Sequence, residues 1–81
     1  MNAEDVKSGD VVVIPKGTVV SQWGSAPVTK RDKKVKVFRT FALDEWTAKA
    51  ICGQWEAGTV VAQFFAKSVL NAVRVQDVRK P

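Results

Sequence analysis

Histidine and tyrosine are absent from these 81 residues, and cysteine occurs once. Without histidine there is no ordinary Ser-His-Asp or Cys-His arrangement, and the common mixed zinc sites are removed. A single cysteine cannot close an internal disulfide, so no covalent staple supports a chain of this size. Cys52 sits between apolar neighbours in "AICGQW", which reads as a buried, reduced thiol with no base to activate it. The glycine patterns of dinucleotide and P-loop sites are also missing. Asp44 and Glu45 are adjacent, so on a strand they would face opposite ways and make a poor acid–base pair. They read as solvated loop or cap residues. The expectation is a protein that is not an enzyme, with no catalytic residue, no metal site and no cofactor.

Long apolar runs are lacking as well. No segment approaches the roughly 18 apolar residues needed to cross a bilayer. The opening "MNAEDVKSGD" has neither the basic start nor the apolar core of a secretory signal. These features lead to the expectation of a cytoplasmic protein without a membrane partner. Acidic charge is in deficit: 13 Lys and Arg against 8 Asp and Glu give a net charge of +5. That balance argues against mimicry of DNA and favours polyanions or acidic protein surfaces.

The length fits a single domain over residues 1–81. The apolar fraction, 46%, is ordinary for a folded protein. A chain this short buries only roughly 60–65% of its unfolded surface. Either a compact core or self-association, most simply a symmetric homodimer, must supply the missing burial.

What the chain has is valine. "DVVVIPKGTVVSQW", "KKVKVF", "GTVVAQFF" and "AVRVQDV" are short β-branched or aromatic runs separated by glycine or polar residues, and they read as strands. The first run breaks at Ile14-Pro15-Lys16-Gly17, where proline second and glycine fourth suit a type I turn. Proline also removes a ladder donor, which places it at an edge or corner. "WGSAPVTKRD" reads as a long loop with a mobile tip.

Between Lys34 and Phe41, Val35, Val37 and Phe41 share one parity and Lys34, Lys36 and Phe38 the other. Arg39 breaks the apolar parity, and a bulge or strong bend near Phe38–Arg39 resolves the conflict. "LDEWTAKAICGQWEAG" is open to two readings. A helix from Asp44 would align Leu43, Trp46, Ala50 and Ile51, whereas a strand would align Trp46, Ala48, Ala50 and Cys52. The extended flanking segments favour the strand. "AKSVLN" is long enough for one helical turn before a closing strand.

Five or so short strands in one small domain imply a mainly β fold, a small SH3-like barrel or a strongly bent antiparallel sheet, with at most one substantial helix at residues 43–52. Val12, Ile14, Val35, Val37, Val60 and Val75 are the expected core.

"IPKGTVVSQW", "TKRDKKVKV", "QWEAGTV" and "VRVQDVRKP" together resemble small, uncharacterised phage-type proteins with SH3-like barrels. The shared features are a proline-glycine-threonine entry, a basic approach to an alternating valine strand, a Trp-x-Ala-Gly turn and a terminal strand. The paired aromatic signature of SH3 domains that bind proline-rich peptides is absent. The resemblance therefore implies a fold and a phage origin, with no chemistry attached.

The stretch "VTKRDKKVKVFRTF", residues 28–41, holds six basic side chains among fourteen residues. Lys30, Arg31, Lys33 and Lys34 are placed to meet phosphates from a flexible loop, while Lys36 and Phe38 continue the contact on a strand face. The competing interpretation is a solvated strand edge whose lysines prevent edge-to-edge aggregation. Trp23, Trp46 and Trp55 suit core or rim positions in a small barrel. Trp23 stands apart because "SQWGSAP" looks like a loop, where an exposed indole would anchor a partner. The sequence thus points to a non-catalytic binding module with a basic surface at residues 30–39 suited to contact with nucleic acid or an acidic protein surface, the ligand being left open. The alternative is a protein-binding modulator of a host or phage complex, acting through an apolar face or a strand edge.

Overall fold

Alternating valines set the first strand: in β1, Val11–Ile14, Val12 and Ile14 are buried and Val11 is exposed. The computed structural model describes residues 5–22, 25–50 and 54–81. Its further elements are β2 (Lys33–Lys36), β3 (Arg39–Ala42), α1 (Glu45–Ala50), β4 (Val60–Ala66) and β5 (Val69–Arg74), followed by a 3-10 turn at Val75–Asp77. The fold is mainly β with one short helix, as the valine pattern predicts.

Two antiparallel sheets form, one from β1 and β2 and one in the order β3-β4-β5. Isolated bridges extend them: Val13 pairs with Arg79 on the free side of β1, and Ser21 pairs with Ala72 on the free side of β5. The strands thus form two small antiparallel sheets, and no closed barrel is made among the described residues.

The main core lies between the sheets. Val12, Ile14, Val37, Phe64, Val73 and Val75 are among its buried members, with Val35 and Val60 packed against it at partial exposure. A smaller cluster on the other face of the three-stranded sheet joins Leu43, Ala48, Trp55, Val61 and Ala72. Each face of that sheet therefore has its own apolar cover.

Three expectations are corrected. Residues 45–50 are helical rather than extended, because Asp44 caps the helix: its Oδ1 accepts the Thr47 N–H at 2.6 Å. The helix buries Ala48, and Leu43 before it is buried, while Trp46 is 78% exposed and Ala50 is exposed, so these two do not share a buried helical face; Ile51 lies outside the described residues. "AKSVLN" forms no helical turn. It is a two-residue hairpin connecting β4 to β5, with Lys67 at φ 52° and Ser68 at φ 65°, the left-handed backbone of a type I′ turn.

The long loop is also partly paired. Val19 bridges Val28, Val20 N–H donates to the Pro27 carbonyl at 2.9 Å, and Thr29 N–H donates to the Thr18 carbonyl at 2.9 Å. Threonine chemistry closes its base, since the hydroxyls of Thr18 and Thr29 both donate to the Pro15 carbonyl at 2.7 Å. Cys52 and Trp23 lie outside the described residues.

Candidate nucleic-acid interface

Lys33, Lys34 and Lys36 lie on an edge. Among the described residues β2 pairs with β1 alone, in the register Val12 to Val35 and Val13 to Lys34. Strand alternation turns Val35 toward the main core and sends Lys34 and Lys36 outward. Lys30 and Arg31 lie in the segment entering the strand. All five cations are exposed, and none has an ion-pair partner among the described residues.

Asp32 interrupts the run for a local reason. Its Oδ1 accepts the Lys16 N–H at 2.8 Å, and its Oδ2 lies 3.6 Å from the Arg79 guanidinium. The carboxylate thereby ties the start of β2 to the Pro15–Gly17 turn and the C-terminal segment.

Phe38 does not extend the β2 face. The chain bends between Val37 and Phe38, one residue before the expected position, and carries Phe38 to the other sheet. There its ring meets Phe65 edge-on, with centroids 5.3 Å apart and planes at 67°, a favourable quadrupole arrangement. Phe38 is 51% exposed and Phe65 56%. Leu70, the cross-strand partner of Phe65, is exposed too.

Phe65 then returns to the basic edge. A shallow hollow between β2 and the end of β4 is lined by Arg31, Lys33, Lys34, Lys36, Phe65 and Ala66, with Asp32 and Val35 completing it. The hollow brings Arg31, Lys33, Lys34 and Lys36 together with Phe65, whose ring in turn meets Phe38; Lys30 and Phe38 themselves are not part of its lining. Phe65 escapes the sequence reading, although the doublet Phe64-Phe65 carries the signal. On a strand, neighbours face opposite ways, so one of the two rings must leave the main core.

Arg39 belongs to the sheet surface. Its Nε donates to Gln63 Oε1, its cross-strand partner, and its guanidinium lies 5.0 Å from the Phe41 ring centroid. The acidic pair is a helix terminus. Hydrogen bonding from Thr47, first from its backbone and then from its side chain, holds the Asp44 carboxyl below the ordinary value of 3.8.

Among the described residues there is no group of three or more Cys, Asp or Glu side chains able to hold a metal ion, and no helix is long and apolar enough to cross a membrane. No protein-family model, curated protein or solved structure matches this chain.

Proposed function

We propose that this chain is a non-catalytic binding module for single-stranded nucleic acid. The basic edge takes the phosphates, and Phe38 and Phe65 take the bases. The observation that carries the reading is the exposed aromatic pair beside a hollow walled by Arg31, Lys33, Lys34 and Lys36. Edge protection accounts for lysines on a strand with one free side. It does not account for two large rings held half in water next to them, whereas cations tracking a backbone beside aromatic faces are the working parts of single-strand binding. Such a surface attracts by charge and stacking, with little sequence discrimination.

A second reading has its own support. Leu70 beside Phe65 enlarges the apolar area, so an acidic protein surface with an apolar centre would match the same patch. Fluorescence anisotropy with labelled single-stranded DNA and RNA and with a duplex, at low salt, separates the two. Phe38→Ala and Phe65→Ala each weaken single-strand binding by roughly 5- to 150-fold and change duplex binding little. Failure of the unmodified protein to bind any of these nucleic acids at low salt would remove the nucleic-acid reading and leave the acidic protein surface.

A further inference from the structure

Phe38 and Phe65 are held at an angle, and the angle sets a condition on what they bind. Their ring planes are inclined by 67° with centroids 5.3 Å apart. The backbone of Phe38 is anchored on both sides, since its N–H donates to the Gln63 carbonyl at 2.7 Å and its carbonyl accepts the Ser8 hydroxyl at 2.6 Å. Phe65 is anchored by the β4–β5 ladder, where it stands opposite Leu70. Edge-on packing is also the arrangement that the ring quadrupoles favour, so the two planes have no tendency to become parallel.

A base that stacks on an aromatic side chain lies parallel to its ring. Two neighbouring bases, one taken by each ring, are therefore inclined to each other by the same 67°. At that angle they cannot stay stacked on one another. A nucleic-acid strand crossing both rings must open one base–base stack at that point.

Strands differ in what the opening costs. Adjacent adenines stack strongly in a free single strand, whereas adjacent thymines or uracils hardly stack at all, and unspecific single-strand sites acquire their composition preferences from this difference. Arg31, Lys33, Lys34 and Lys36, which line the hollow with Phe65, meet any phosphate backbone alike. Discrimination therefore falls to the rings.

We propose that the inclined Phe38–Phe65 pair makes this site selective for weakly stacked, pyrimidine-rich single strands, because one base–base stack must open where the strand crosses the two rings. The inference deepens the single-strand reading and rests on it. The selection is one of composition, and no base edge is read. Oligo(dT) binds more tightly than oligo(dA) of the same length by roughly three- to tenfold, the lower half of the range for one stacking step.

The test measures anisotropy with labelled oligo(dT) and oligo(dA) at one low salt concentration, for the unmodified protein and for Phe38→Leu and Phe65→Leu. Leucine keeps an apolar side chain at each position and removes the flat face. Each variant binds both oligonucleotides more weakly and brings their ratio within about twofold, because one remaining ring no longer forces a stack to open. A second readout uses the unmodified protein alone. The near-ultraviolet circular dichroism of oligo(dA), which arises from coupling between stacked adenines, loses amplitude at saturation with protein.

Equal affinity of the unmodified protein for the two oligonucleotides, a preference unchanged in both leucine variants, or an oligo(dA) signal unaltered at saturation would each overturn this inference and leave the single-strand reading standing. Absence of binding to either oligonucleotide would instead remove that reading, and this inference with it.

Discussion

Val37 and Phe38, the two residues between β2 and β3, are joined by one peptide bond, yet their backbones bond in opposite directions, Val37 to the segment before β1 and Phe38 to β4. Val37 N–H donates to the Asp10 carbonyl at 2.8 Å and its own carbonyl accepts the Gly9 N–H at 2.7 Å, whereas Phe38 N–H donates to the Gln63 carbonyl at 2.7 Å. The Ser8 hydroxyl, donating to the Phe38 carbonyl at 2.6 Å, holds the bend from the amino-terminal side. One consequence is a partition of roles, with Val37 buried in the main core and Phe38 released to the surface.

That partition predicts unequal costs. Val37→Ala removes buried methyl groups and leaves a cavity, so it destabilises by about 1–3 kcal/mol. Phe38→Ala gives up chiefly the edge-on packing against Phe65, about 0.5–1.5 kcal/mol. Urea denaturation of the two variants checks the order. A larger destabilisation from Phe38→Ala would contradict the assignment of the bend.

The β4–β5 turn carries strain that the sequence does not relieve. Lys67 and Ser68 both sit at positive φ, a region that costs L-residues with a side chain roughly 1–2 kcal/mol each. Replacing Lys67-Ser68 with Asn-Gly, the preferred pair for this turn type, stabilises the fold by about 1 kcal/mol. In a domain of this size that raises Tm by roughly 4–8 °C. An unchanged or lower Tm in thermal unfolding would count against this geometry.

Acid weakens the cap of α1. The folded Asp44 carboxyl titrates below its ordinary value of 3.8 because the Thr47 N–H bonds to its ionised form. Its stabilising contribution is therefore complete above the unfolded value and disappears as pH falls through the lowered folded one. The Thr47 amide proton, followed by NMR, reports this with a midpoint below 3.8. Asp44→Asn keeps an acceptor at the cap and abolishes the titration. A midpoint at or above the ordinary value would show that the cap bond is not made in solution.

The strands were legible where side chains alternate and glycine or proline marks the ends. Val12, Ile14, Val37 and Val75 occupy the core as expected, and Val35 and Val60 border it. The Lys67-Ser68 hairpin was hidden because its turn uses neither glycine nor asparagine, the residues that normally announce positive φ. The helix was hidden for a different reason. Over its described span, Glu45–Ala50, it buries only Ala48, so little apolar periodicity marks it, and its start depends on the local Asp44 cap. Of the candidate site, Lys34 and Lys36 could be read as outward-facing from their alternation with Val35, and Lys30 and Arg31 as exposed from the polar segment that precedes the strand. Phe65 could not be placed beside them, because β4 belongs to the other sheet and meets β2 only through the packing of the two sheets, which no local signal encodes.

The central claim, that the charge at residues 30–36 binds phosphates, is tested most directly by changing Lys30, Arg31, Lys33 and Lys34 together to Gln and titrating salt. These side chains are exposed and contribute little to stability, so circular dichroism should remain that of the parent. Nucleic-acid affinity falls across unrelated sequences, and the slope of log affinity against log salt becomes shallower by roughly 0.7–0.9 for each phosphate no longer neutralised. A folded quadruple variant with the parent's affinity and salt slope would contradict the claim.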